Sequence, residues 1–149
     1  MRFLGNIESK VDPKGRVFFP APFRKILEGG GEERLVLRKD FYQPCLVIYP
    51  MSAWERRTDA LLEHVNEFDD ESQMLFRMYV SEAEELSLDG SGRLLIPRRY
   101  LQMVDILQTV RFIGMNDTIE IWAAEKVVEP FLSQQDFSTK LKAMMAKKE

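Results

Sequence analysis

The chain has 149 residues, 45% of them apolar, and carries 21 Lys and Arg against 24 Asp and Glu for a formal net charge of −3. That length holds one ordinary domain or two small ones sharing a core, and the apolar fraction supports a globular fold. No apolar run approaches the roughly 20 residues of a membrane span, nothing resembles a secretory leader, and one cysteine excludes an intrachain disulfide, so a reducing cytoplasmic setting without a membrane partner is expected.

In chain order, Met1 to Gly5 leads into a strand where Ile7 and Val11 alternate with Asn6, Glu8 and Lys10. Asp12-Pro13-Lys14-Gly15-Arg16 then reads as a tight turn. Asp12 can accept the amides ahead of it, Pro13 presets one backbone angle, and Gly15 supplies a conformation that side chains resist. Val17-Phe18-Phe19 resumes the strand and Pro20 ends it, so residues 6–19 are expected to form a hairpin. A short helix follows, with Phe23, Ile26 and Leu27 on one face and Gly29-Gly30-Gly31 as its stop. Arg34 to Arg38 and Cys45 to Tyr49 read as strands around a turn through Asp40 to Pro44, with Cys45 as a small core residue. Ser52-Ala53-Trp54-Glu55 has the form of a capping box opening a helix to about Asn66, with Trp54, Leu61, Leu62 and Val65 on one face.

Phe68-Asp69-Asp70 breaks the pattern, and a second helix carries Met74, Leu75, Met78 and Tyr79, a stripe expected in a core or a subunit contact. The linkage between two halves falls near Tyr79 to Glu82, giving units 1–80 and 81–149. A second hairpin spans about Glu85 to Ile96, and a short helix runs from Arg98 to about Asp105. Strands Val110 to Met115 and Thr118 to Trp122 flank a tight Asn116-Asp117 turn. A short helix over Glu125 to Phe131 and an amphipathic one over Asp136 to Lys147, with Phe137, Leu141, Met144 and Met145, complete the expected elements. The class expected is α+β.

The second turn, Asp89-Gly90-Ser91-Gly92-Arg93 followed by Leu94-Leu95-Ile96-Pro97, repeats the first at an offset of 77 residues, with Asp, Gly, Arg and Pro all in register. Such a match marks a duplicated structural unit. Turn geometry accounts for Asp12, Gly15, Asp89 and Gly92. It does not account for Arg at 16 and again at 93; a repeated Arg points to a repeated contact, and an internal two-fold suits matching features on DNA. The motif regions are locally basic on an acidic chain: Lys10, Lys14, Arg16, Arg24 and Lys25 are opposed by Asp12 alone, and Arg93, Arg98 and Arg99 by Asp89 alone. For Arg24, Lys25, Arg98 and Arg99 a solvated helix face competes with DNA contact. A catalytic reading has little support, since His64 is the only histidine and no Cys/His set has zinc-ligand spacing. The three glycines lack the Lys and Ser/Thr of a phosphate loop, so no cofactor, metal or catalytic residue is expected.

The start Met1-Arg2-Phe3-Leu4-Gly5, the two Asp-x-x-Gly-Arg turns with Pro20 and Pro97, Leu46-Val47-Ile48-Tyr49-Pro50 and Trp54 together resemble the MraZ family. The resemblance implies two tandem AbrB-like units interleaved as a swapped-hairpin β-barrel with flanking helices. It implies a cytoplasmic, nucleoid-associated regulator of the bacterial division and cell-wall gene cluster that acts on its own operon, leaning toward repression. Its partners would be double-stranded DNA with short direct repeats and other copies of itself, in a ring. The family's DNA-contacting arginine carries over to Arg16, with Arg93 as its counterpart and the first turn weighted more heavily because Ser91 replaces Lys14. Lys14, Lys10 and Arg24 would join Arg16 at the DNA. An antitoxin-like or protein-interaction module of AbrB type remains the competing class.

Overall fold

The computed structural model describes residues 1–126 and 131–147. In chain order the elements are β1 (Asn6–Lys10), β2 (Arg16–Phe18), α1 (Ala21–Gly29), β3 (Leu35–Lys39), β4 (Leu46–Pro50), α2 (Met51–Leu62) and α3 (Asp70–Ser81). Then come β5 (Glu84–Leu86), β6 (Arg93–Leu95), α4 (Arg98–Met103), β7 (Thr109–Met115), β8 (Thr118–Ala123), a 3-10 turn (Ala124–Lys126) and α5 (Gln134–Ala146). The α+β expectation is met.

Six strands form one antiparallel sheet in the order β1-β7-β8-β4-β3-β5, and β2 pairs with β6 in a separate two-stranded ribbon. Exchanging β1 with β5, β3 with β7 and β4 with β8 reverses the six-strand order onto itself. The internal two-fold implied by the repeated motif is therefore present in the pairing. No ladder closes β1 onto β5 among the described residues, so the expected barrel gives way to an open sheet beside a ribbon.

Both expected hairpins are altered, although both turns form. In the first, Val11 and Val17 make an isolated bridge, while β1 ladders with β7, Asn6 opposite Ile113 through Lys10 opposite Thr109. In the second, expected over Glu85 to Ile96, no ladder joins β5 to β6 among the described residues: β5 pairs with β3, Leu35 opposite Leu86, and β6 pairs with β2. A lone two-stranded hairpin is marginal in water. Pairing across the halves instead lets Val17 and Leu94 enter one core with Phe19, Phe23, Leu35, Leu46, Phe112 and Ile121.

Strand alternation sends Leu35, Leu37, Leu46, Ile48, Ile119 and Ile121 into that core. The opposite sheet face carries Val36, Val47 and Tyr49 under Met51, Trp54 and Ala83. There Trp54 stacks on Tyr79 at 4.8 Å, joining α2 to α3. Arg38 is 5% exposed and holds α3 from below: Nε donates to the Tyr79 carbonyl at 3.0 Å, and Nη2 to that of Met78 at 3.3 Å. A buried cation thus meets the last carbonyls of α3, where the helix leaves them unpaired.

Two local expectations for α2 are corrected. Ser52 lies inside α2, whose N-cap is Pro50 with no side-chain cap; the Ser52 amide and hydroxyl both donate to the Glu32 carboxylate, so a loop residue does the work expected of a capping box. Helix α2 ends at Leu62, short of Asn66, with Trp54 partly buried and Ala53 its only buried residue. Of the α3 stripe, Tyr79 alone is buried, while Met74, Leu75 and Met78 face solvent. Of the helix expected over Glu125 to Phe131, residues 125–126 fall in a 3-10 turn and Phe131 is not helical, while 127–130 lie outside the described residues.

The two-residue turn between β7 and β8 forms as expected, with Asn116 at φ +70°. Its Asp117 accepts from Arg57 at both carboxylate oxygens, 2.9 Å each, and from Arg56 at 3.1 Å, tying the turn to α2. Those donors, Arg57 first, hold the Asp117 carboxyl down to about 2. A carboxyl lowered on folding contributes stability above its unfolded pKa and loses it as pH falls toward the folded value. Asp117→Asn should therefore lower stability at neutral pH by up to about 1 kcal/mol. In thermal melts the gap to wild type should close as the pH falls toward 2.

Candidate nucleic-acid interface

Each turn is built by its aspartate. Asp12 Oδ1 accepts the amides of Lys14 and Arg16, both at 2.9 Å, and Oδ2 accepts Arg16 Nε at 2.7 Å. The Gly15 amide closes the loop on the Asp12 carbonyl at 2.9 Å. Asp89 repeats the pattern: Oδ1 accepts Ser91 and Arg93 amides at 2.9 Å, Oδ2 accepts Arg93 Nε at 3.0 Å, and the Gly92 amide meets the Asp89 carbonyl at 3.0 Å. Donation by the Arg16 amide is the main reason the Asp12 carboxyl sits below its ordinary value, with help from the Arg16 guanidinium and the Lys14 amide. The Arg93 amide plays that part for Asp89. Both acids are therefore charged at neutral pH, and both turns stay closed.

The same bonds orient the arginines. Nε of each is tied to its aspartate, and Nη1 and Nη2 of Arg16 and Arg93 make no hydrogen bond among the described residues. Two planar donors on each guanidinium are left pointing away from a fixed anchor, the form that reads a guanine edge or grips a phosphate.

The ribbon brings the turns together. Arg16 opposes Leu95, Val17 opposes Leu94 and Phe18 opposes Arg93, and the ladder continues through Phe19 N–H to the Gly92 carbonyl at 3.0 Å and Ile96 N–H to the Gly15 carbonyl at 2.9 Å. Residues directly opposite share a face, so Val17 and Leu94 enter the core while Arg16, Phe18, Arg93 and Leu95 occupy the outer face. The two arginines are diagonal neighbours there, their Cα atoms roughly 7–8 Å apart. Phe18 and Leu95, 58% and 53% exposed, fill the other diagonal, with the Arg93 guanidinium 6.0 Å from the Phe18 ring. Both belong to the resumed strands expected from the sequence, and the period-two partition of Arg16 and Phe18 from Val17 and Phe19 is the sequence signal of their exposure.

The surroundings of the turns differ. Lys10 and Lys14 are exposed and border, with Arg98, a recess of about 630 Å³ beside the first turn. The second turn borders a recess that includes Glu28, Glu32 and Glu33. Arg24 lies there as well, against Gly92, where an added Cβ would strike its guanidinium. Its Nε is buried without a hydrogen bond among the described residues. The structure thus gathers Lys10, Lys14 and Arg16 around the first turn and sends Arg24 to the second. Arg99 donates to Glu84 at 2.6 Å and lies over Tyr100, and Lys25 is exposed on α1.

The family model described as "MraZ protein, putative antitoxin-like" matches residues 2–77 and 79–147. The chain is 51% identical over 145 residues to a Transcriptional regulator MraZ of Phocaeicola vulgatus, covering 97% of this chain and 94% of that protein. It is 47% identical to the protein of the same name in Bacteroides thetaiotaomicron, over 97% of this chain and 93% of that one. A more distant relative of that name, from Rhodospirillum rubrum, is 35% identical over 122 residues, 80% of this chain and 78% of the relative.

Gly15 has φ +89°, and a Cβ there would lie 2.7 Å from the Ile96 carbonyl oxygen. Gly15→Ala should cost about 1–3 kcal/mol in chemical denaturation through left-handed strain and loss of ribbon contact. Gly90→Ala, with open space around it, should stay within about 0.5 kcal/mol of wild type.

Proposed function

The chain belongs to the MraZ family, and from that premise we propose that it is a transcriptional regulator that reads double-stranded DNA with the outer face of the β2–β6 ribbon. The observation that carries this reading is the diagonal pair Arg16 and Arg93, each anchored through Nε with its terminal nitrogens turned outward. A two-stranded ribbon fits the major groove, and a guanidinium donates two bonds to guanine O6 and N7. Phe18 and Leu95 supply apolar contact to thymine methyls on the same face.

The first turn is the main reading head. Lys10, Lys14 and Arg98 beside Arg16 are free to bind phosphates, which set position and most of the salt-dependent affinity. Near the second turn Glu28, Glu32 and Glu33 repel the backbone, so Arg93 contributes less. Arg24 acts there by supporting Gly92 and offsetting those acids rather than as a leading phosphate contact. The two units, 1–80 and 81–149, are read as AbrB-like halves that exchange their turn strands, a reading supported by the β2–β6 ladder.

Further parts of the proposal rest on kinship. The DNA would carry short direct repeats ahead of the protein's own operon in the division and cell-wall cluster. The protein would act as a cytoplasmic, nucleoid-associated repressor, in keeping with the absence among the described residues of any helix long and apolar enough to cross a membrane. A ring-like homo-oligomer would set several heads at regular spacing, so matched repeats gain avidity. Exposed Met74, Leu75 and Met78 on α3, and Phe137, Leu141 and Met144 on α5, are the surfaces available for such assembly. The same surfaces favour the second reading, an antitoxin-like module that docks a protein partner. Salt separates the two, since apolar docking does not weaken steeply with ionic strength.

Fluorescence anisotropy with the duplex upstream of the gene and a random duplex, at two salt concentrations, tests the reading. Wild type should prefer its own upstream duplex and lose affinity steeply with salt. Arg16→Ala, still folded by circular dichroism, should lose about 1–3 kcal/mol of that preference. Arg93→Ala should lose less. Lys14→Ala should weaken both duplexes alike and reduce the log–log salt slope by about 1. No preference for the upstream duplex in wild type would overturn the regulator reading and leave Arg16 and Arg93 as structural turn residues.

A further inference from the structure

Three neighbouring strands bring Asp40, Cys45 and Glu120 to one place on the helix-covered face of the sheet. Alternation puts Cys45 on the face of Val47 and Tyr49, opposite the core side of Leu46 and Ile48. Glu120 is the register partner of Val47. Asp40 follows the end of β3, and its amide donates to the Cys45 carbonyl at 2.9 Å. Cys45 Sγ and one carboxylate oxygen from each acid all lie within 4.8 Å of one another.

The geometry points to a binding site for one divalent transition cation, zinc(II) in class, held by the Cys45 thiolate and the carboxylates of Asp40 and Glu120. A thiolate with two carboxylates suits a borderline cation, whereas calcium and magnesium take oxygen throughout. Donors of a tetrahedral zinc site stand roughly 3.5 Å apart, so small side-chain rotations close the cluster and leave a fourth position for water.

Three independent features favour a ligand over inert packing. First, the Cys45 side chain is fully buried and its thiol makes no hydrogen bond among the described residues. Second, among the described residues each acid has one oxygen pinned and the other without a hydrogen bond: Asp40 Oδ2 accepts the amides of Tyr42 and Gln43 at 3.1 and 2.9 Å, and Glu120 Oε1 accepts Trp122 Nε1 at 2.9 Å. Outer bonds of this kind fix metal-binding carboxylates. Third, neither acid is paired with a basic side chain among the described residues. Lys39, the cation facing the cluster, gives its ammonium to the carbonyls of Asp40 and Gln43, both at 3.2 Å. Burial pushes the Cys45 thiol and the Glu120 carboxyl above their ordinary values. Binding replaces the S–H bond with a metal–sulfur bond and releases that proton to solvent. The half-exposed acids open the path in from solvent.

This inference is independent of the DNA reading. Its test is a cobalt(II) titration of the full chain after treatment with chelator. A thiolate-to-cobalt charge-transfer absorption should rise to one equivalent per chain and vanish on adding zinc. Cys45→Ser should abolish it, Glu120→Gln should weaken cobalt binding at least tenfold, and Trp122→Phe should weaken it about 10–100-fold by releasing the pinned oxygen. Zinc should raise the melting temperature of wild type and leave Cys45→Ala unmoved. Should Cys45 variants fail to fold, the half-exposed Glu120→Gln decides alone. No band at one equivalent, or cobalt and zinc binding that Glu120→Gln does not alter, means an adventitious ion only and overturns the proposal.

Discussion

Six residues, Arg16–Phe18 against Arg93–Leu95, hold the two repeats of the sequence in one ribbon. Much of the molecule depends on that ladder. It draws Val17 and Leu94 into a single core with residues from both halves, so neither half buries its apolar surface alone. It places the two aspartate-built turns at opposite ends of the ribbon and their arginines on one outer face. The turn that fixes the backbone also fixes the guanidinium, because one carboxylate accepts from two amides and from Nε. Local folding and orientation of the guanidinium are therefore the same set of bonds.

The internal two-fold is exact in topology and broken in chemistry. The sheet order maps onto itself when the halves are exchanged, yet the positions flanking the turns do not match. Arg24, set against Gly92, corresponds by the 77-residue offset to Leu101, which packs near Gly15. Lys14 corresponds to Ser91. Cations therefore gather beside the first turn and carboxylates beside the second, although the backbone hydrogen bonds are nearly identical. Duplication supplied the geometry, and side-chain divergence separated the two faces electrostatically.

Both turns, most strands and the helices of the described residues are legible as local patterns. Asp-x-x-Gly-Arg is written in adjacent residues, and its bonds are local. Strand partners were less accessible. The alternation of Ile7 and Val11 shows a strand but not that it pairs with Thr109–Met115 a hundred residues away. Ser52 and Glu55 have capping-box spacing, yet a Glu32 carboxylate from twenty residues upstream takes the amide first. Arg38 reads as an ordinary strand residue; its burial appears only once the end of α3 lies over it. The meeting of Asp40, Cys45 and Glu120 likewise depends on β4 and β8 being neighbours, which no local pattern records.

The central claim is that the ribbon's outer face, and chiefly its first turn, is the surface that meets DNA. Hydrogen exchange of the full chain with and without its upstream duplex tests this most directly. The account predicts slowed exchange in peptides covering residues 12–19, a smaller effect over 89–97, and no change along α3. Protection confined to α3 or α5, with residues 12–19 unaffected, would contradict it.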